Sequence, residues 1–128
     1  MFSIYGANYC LNIVAGEKGK PEAVLIRAGE PIDGIEILKT NRKSKSTKTR
    51  DLSNGPGKLG HALQIDKSFN GYDMCKPDSN EMYLVENPFL GKIEIEESKR
   101  INIDYAEEWK DKLWRFTIKG NEFVSKAK

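Results

Sequence analysis

The chain has 128 residues, 38% hydrophobic and 31% charged, a length and balance that fit one packed domain and argue against a disordered chain. Its apolar runs fall well short of the ~20 residues that span a bilayer, and Met1 is followed by Phe-Ser-Ile-Tyr-Gly, without the basic start of a secretory leader. Two cysteines and one histidine argue against a disulfide scaffold and a histidine-centred metal site or triad, and place Cys10 and Cys75 as reduced thiols in a cytosolic protein.

In chain order, residues 2–14 are dense in Phe, Ile, Tyr, Leu and Val and predict a long strand with a bulge at Gly6. GEKGKP at 16–21 predicts a hairpin turn, and EAVLIRA at 22–28 a second strand buried on both faces except at Arg27. Pro31 and Asp33 introduce a short helix with Ile35, Ile37 or Leu38 turned inward. Ser53-Asn54-Gly55-Pro56 is a cap-and-proline start for a helix over 56–65, with Leu59, Ala62 and Leu63 as its apolar stripe. A loop at 70–80 precedes strands at 82–86, 92–97 and 99–104, a helical or turn piece YAEEWKDK, and a last strand LWRFTIKG. Strands with helices inserted between them make the fold class α+β, a single mixed α/β domain with a largely antiparallel curved sheet.

Charge is uneven. The net charge of +2 divides into +4 over residues 1–76 and −2 over 77–128, and KTNRKSKSTKTR at 39–50 holds six basic residues and no acid. Such a segment either attracts phosphate or is a solvated loop. Arg27 sits inside an apolar strand, and a buried guanidinium needs acceptors. They are supplied either by the core or by a bound phosphate or water. Tyr5-Gly6 reads as a core aromatic beside a bulge or as an exposed ring able to stack on a base. Asn12 is an edge amide facing solvent or a pocket amide that reads a ligand edge. GPGKL at 55–59 is not a nucleotide-binding P-loop, because Leu52 and Leu59 stand where Gly and Ser or Thr are required. A helix start with a lysine beside it still suits a phosphate. His61 and the carboxylates of 92–108 read as surface residues.

These pieces, in order, resemble the alkyladenine (3-methyladenine) DNA glycosylase family. The resemblance is carried by I-Y-G-x-x-Y-C-x-N at 4–12, A-V-L-I-R-A-x-E-P at 23–31, G-P-G-K-L-x-x-A-L-x-I at 55–65 and D-K-S-F-N-G at 66–71. It continues through R-I-x-I-D-Y-A at 100–106, W-R-F-x-I-K-G-N at 114–121 and V-S-K at 124–126. The resemblance implies base excision repair: a damaged nucleotide is flipped from the duplex into a pocket, and water activated by a glutamate hydrolyses its N-glycosidic bond. A cationic alkylated purine suits an aromatic pocket. The implied partner is double-stranded DNA containing alkylated bases, with no membrane, no metal and no organic cofactor. The implied protein is a cytoplasmic, nucleoid-associated monomer of prokaryotic type.

Carried over by position, Tyr5 matches the aromatic that wedges into the gap left by the flipped nucleotide, and Ala7 and Asn8 its neighbours along the groove. Asn12 and Leu25 match pocket residues, Asn12 as the amide that rejects a guanine amino group. Phe2 falls where the family has a pocket tyrosine and lacks its hydroxyl. Arg27 matches the arginine that holds the attacking water and the sugar-phosphate. Lys58 and Lys67 match basic residues at the DNA backbone. The general-base glutamate of the family lies in a Glu-x-Tyr segment upstream of the Tyr-Gly strand, and four residues precede Tyr5 here. The Glu81-Met82-Tyr83 triplet lies elsewhere in the pattern and takes no catalytic role. The expectation is therefore a chain corresponding to the C-terminal two-thirds of such an enzyme. Its alternative is an inactive DNA-binding remnant, since loss of a general base costs about 10²–10⁴ in rate.

Overall fold

The computed structural model describes residues 3–4, 8–43, 45–46, 48–76, 78 and 81–125. They form two compact units, Met1–Leu84 and Val85–Lys128. Helices and antiparallel strand pairs make the fold mixed α+β, as the strand and helix signals imply. The antiparallel pairing is distributed over three two-stranded ribbons among the described residues.

In the first unit, β1 (Ser3–Ile4) pairs with β2 (Asn8–Tyr9), Ser3 opposite Tyr9. β3 (Asn12–Ala15) pairs instead with β4 (Glu22–Leu25), Asn12 opposite Leu25 and Ala15 opposite Glu22. The long strand expected over 2–14 is thus three short ones, because the stretch changes partner between Tyr9 and Asn12. The bulge expected at Gly6 lies outside the described residues. The hairpin over 16–21 is borne out: Gly16 and Gly19 have φ of 96° and 91°, a region open to glycine at little cost. The Lys20 amide donates to the Glu17 carbonyl at 3.0 Å. β4 is shorter than expected and its first three residues are exposed, Val24 at 55%. Its apolar run reflects β-propensity, not burial on both faces.

α1 (Ile35–Arg42) follows a Gly34 whose N–H donates to Asp33 Oδ1 at 2.7 Å. Ile35 and Leu38 are half-buried while Ile37 is exposed. Lys39 and Arg42 occupy its last turn, where cations complement the helix dipole, so part of the basic run is helical. α2 (Pro56–Ala62) starts at Pro56 as the sequence indicates. Gly55, not Ser53, is its cap residue, because the Ser53 hydroxyl is bonded elsewhere. Leu59 and Ala62 are buried, whereas Leu63 lies past the helix end and is exposed. Asn41 Nδ2 donates to the Ala62 carbonyl at 2.8 Å, tying α1 to the end of α2.

α2 closes with a Schellman motif. The Ile65 amide donates to Gly60 O at 2.8 Å and the Gln64 amide to His61 O at 3.1 Å, with Gln64 at φ 53° and Ile65 buried. A side chain at positive φ is strained, so Gln64→Gly is expected to raise stability by about 0.5–1 kcal/mol, checked as a higher urea midpoint. With Leu59, Ala62 and Ile65, Cys10 and Leu52 make up the buried apolar set of this unit among the described residues.

In the second unit, β5 (Ile95–Ser98) pairs antiparallel with β6 (Arg115–Ile118), Ser98 opposite Arg115. Between them Asp104–Asp111 is a 3-10 segment kinked at Glu107, matching the helical piece expected there. Trp109 stacks on Trp114 at 5.3 Å and Arg100 lies 5.4 Å from the Trp114 ring centre. Phe123 is the buried apolar side chain of this unit among the described residues. The strands expected at 82–86 and 99–104 do not form. Apolar alternation supplies a face but no ladder partner, and Tyr83, Leu84 and Val85 are exposed.

Candidate active site

The β3–β4 register brings together the residues that the family pattern singles out. Asn12 and Leu25 are direct cross-strand partners, and opposite residues in an antiparallel pair project to the same face. The ladder continues past the assigned strands, the Ile26 amide donating to the Leu11 carbonyl at 2.9 Å. Residues two apart on an extended strand share a face, which puts Arg27 on the side of the ribbon that carries Leu25 and Asn12. Electrostatics agree: burial pushes the Cys10 thiol up, and the Arg27 charge pulls it partly back.

Asn12 is half-buried and its Nδ2 donates to the Cys10 carbonyl at 3.4 Å. The same face carries Val14 and Ala23, while Glu22 lies on the opposite face with Ile13, Ala15 and Val24. Among the residues of the β3–β4 ladder itself, the face that carries Asn12 and Leu25 therefore holds no carboxylate. Tyr5, Ala7 and Phe2 lie outside the described residues, and of Asn8 only its backbone pairing with Ile4 is described.

Lys58 is exposed on the first turn of α2 and donates to Asn54 Oδ1 at 2.8 Å. Beside it Asp51 accepts from Ser46 Oγ at 2.8 Å and lies 3.8 Å from Arg50 Nε. The Ser46 hydrogen bond, then the charges of Lys58, Arg50 and Lys48, hold the Asp51 carboxyl below its usual range against the cost of desolvation. A depressed carboxylate contributes stability above the ordinary aspartate range of about 4 and loses it as pH falls through the lower folded value. The Asp51 carboxyl resonance is expected to titrate below that range, and Ser46→Ala to move its midpoint upward. Lys67 is exposed in a 3-10 turn, Lys67–Phe69, whose first residues are capped by Asp66 accepting from the Ser68 amide at 2.8 Å. Lys58 and Lys67 are both in the first unit, on separate turns.

Gly60, which no sequence motif singled out, and Ser53, expected as part of a helix cap, pack beside this ribbon. A side chain at Gly60 would put its Cβ 2.0 Å from the Tyr9 carbonyl oxygen, so α2 packs directly on the backbone leading into Cys10. A glycine mid-helix, unfavourable by itself, is the signal that could have revealed this. Ser53 is 2% exposed and its hydroxyl donates to the Gly29 carbonyl at 2.6 Å. No local pattern distinguishes it from a helix cap. His61 is exposed, as expected. Among the described residues, no three His, Cys, Asp or Glu side chains are grouped to hold a metal ion, and no helix is long and apolar enough to cross a membrane.

The family model for methylpurine-DNA glycosylase matches residues 1–122, and the chain belongs to that family. It is 51% identical over 125 residues to a protein of Natranaerobius thermophilus, covering 98% of this chain and 62% of the relative. It is 52% identical over 132 residues to one of Clostridium novyi (98% and 63%) and 45% over 131 residues to one of Desulfitobacterium hafniense (98% and 63%). All three relatives are provisionally named 3-methyladenine DNA glycosylases. The chain spans 62–63% of their length.

Proposed function

We propose that this chain is the DNA-engaging larger part, a single functional domain, of a glycosylase that hydrolyses the N-glycosidic bond of flipped alkylated purines, 3-methyladenine first among them. The observation that carries this reading is the shared face of Asn12, Leu25 and Arg27. Leu25 supplies an apolar wall, and Asn12 a half-buried amide able to accept or reject hydrogen-bonding groups on a purine edge. Arg27 supplies a fixed positive charge, suited to a water and a sugar-phosphate at the reacting bond. By the family pattern, Tyr5 is assigned the wedge role with Ala7 and Asn8 as its sequence neighbours, and Phe2 a role in the base pocket. Lys58 and Lys67 neutralise backbone phosphates. The partner is duplex DNA, bound by a monomer in the cytoplasm, at the nucleoid.

An alkylated purine is cationic and leaves the sugar readily once protein groups replace its stacking. Attack by water still needs a proton acceptor, and the β3–β4 ladder puts no carboxylate of its own on the side of Asn12 and Leu25. That observation favours a second reading, binding without turnover.

One pair of measurements separates them. The purified chain is expected to bind duplex DNA containing an abasic-site analogue, and Arg27→Ala to weaken that binding about tenfold or more, the scale of a charged hydrogen bond. Lys58→Ala is expected to lower the slope of log K against log salt by about 1. Release of 3-methyladenine from alkylated duplex at the rate of a complete enzyme of the family would eliminate the binding-only reading. Equal affinity of the chain for damaged and intact duplex, untouched by Arg27→Ala, would remove the proposed site.

A further inference from the structure

We propose that Asn54 is a positioning residue for Lys58, its amide holding the ammonium group ready for a phosphate of the DNA backbone. This rests on the reading above that Lys58 meets DNA. Residues 48–58 carry three cations, Lys48, Arg50 and Lys58, and one acid, Asp51. Like charges brought close repel, and a lysine ammonium rides on a flexible four-carbon stem. Presenting one of these cations in a fixed place therefore takes a tether.

Lys58 has one that does not neutralise it. Its Nζ donates to Asn54 Oδ1 at 2.8 Å, and Asn54 Nδ2 donates to Asp51 Oδ1 at 3.5 Å, a long bond. The amide fits only one way round. An ammonium group donates and an ionised carboxylate accepts, so the oxygen faces Lys58 and the nitrogen faces Asp51. Asp51 is itself fixed. Its Oδ2 accepts from Ser46 Oγ at 2.8 Å, its amide donates to Lys48 O at 3.1 Å, and the next residue, Leu52, is fully buried. Asp51 and Asn54 are half-buried while Lys58 is exposed, so the relay runs from an anchored acid outward to a surface cation. An ammonium group has three N–H donors, and the amide takes one of them. A carboxylate in the place of Asn54 would compete with a phosphate for the same charge, whereas an uncharged amide does not. Ordering a rotamer-rich side chain before binding lowers the entropy lost when the phosphate arrives.

The test is a double-mutant cycle on the full chain, with Asn54→Ala, Lys58→Ala and both together. One readout is the dissociation constant for a duplex carrying a tetrahydrofuran abasic-site analogue. The other is the order parameter of the Lys58 Cε methylene, from carbon-13 relaxation of the free protein. Asn54→Ala leaves the net charge as it is, so it removes the tether without removing a cation. It is expected to weaken binding about threefold when Lys58 is present and by less than about 1.5-fold when it is absent, the coupling of groups that act together. The Lys58 order parameter is expected to fall in Asn54→Ala. A purely structural loss would weaken binding equally in both backgrounds, and that result, or an unchanged order parameter, overturns the proposal. Should Asn54→Ala not fold, Asn54→Ser, which stays polar but is too short to reach both partners, is put through the same two readouts. Absence of duplex binding by the unmodified chain defeats the reading that Lys58 meets DNA, while the order parameter then decides the tether alone.

Discussion

Gly60→Ala is expected to destabilise the first unit by about 3 kcal/mol, at the upper end of what an overpacked contact costs. The added methyl would fall 2.0 Å from the Tyr9 carbonyl oxygen and 3.2 Å from its carbon. Both are backbone atoms, so no rotamer change relieves the clash. Either α2 withdraws, uncovering Leu59 and Ala62, or the Tyr9–Cys10 segment shifts. Helix propensity pulls the other way, since alanine is better than glycine mid-helix by about 1 kcal/mol, and the clash exceeds that gain. Urea unfolding followed by far-UV circular dichroism measures the loss. Hydrogen exchange at the Leu59 and Leu63 amides, which bond to Gly55 O and Leu59 O, locates it. A second consequence follows from the proposed function: the Arg27 charge reaches the Cys10 thiol, so the same substitution is expected to weaken binding to abasic-site DNA. An unchanged unfolding midpoint would show that α2 does not press on Tyr9.

Arg115→Leu is expected to cost the second unit about 3 kcal/mol. Arg115 is nearly buried; its Nη1 donates to Ser98 Oγ at 3.2 Å and its Nη2 to the Ser125 carbonyl at 2.6 Å. One side chain thus fastens its cross-strand partner and the following chain, and hydrogen bonds from a charged donor contribute about 1.5–3 kcal/mol each. Leucine keeps apolar volume but leaves the Ser125 carbonyl without that donor. Both tryptophans of the chain, Trp109 and Trp114, lie in this unit and stack on each other, so tryptophan fluorescence during urea unfolding reads the effect directly. Arg115→Lys keeps the charge without the two-pronged reach and is expected to fall between. A fluorescence transition unaltered by Arg115→Leu would mean that the two hydrogen bonds contribute nothing net.

Local signals proved legible where the physics is local. The hairpin between β3 and β4 is written in Gly16 and Gly19, whose positive φ suits glycine and few other residues. The start of α2 is written in Pro56, which fits a first helical turn. The first strand was misjudged for a complementary reason. Its apolar side chains mark β-structure but not partners, and the partner changes from Ser3–Ile4 to Glu22–Leu25 along the stretch. MYLVE and the segment at 99–104 carry strand-like composition with no ladder to join. The basic run, expected as a phosphate-attracting segment or a solvated loop, contributes Lys39 and Arg42 to the last turn of α1 and Lys48 and Arg50 to the charges around Asp51, a use that depends on which acid folds against it.

By itself the sequence determined the family, the mixed α+β class and the identity of the residues with chemistry to offer: an arginine and an amide among apolar neighbours, and lysines at turn starts. Those are properties of residue type and order. The tertiary structure alone decided that Asn12, Leu25 and Arg27 share one face, that Ser53 serves Gly29 and not its own helix, and that Gly60 must be bare. Each depends on a ladder register or on a contact between residues 24 to 51 positions apart. Register sets which side chains meet, and a one-residue slip would send Arg27 to the opposite face.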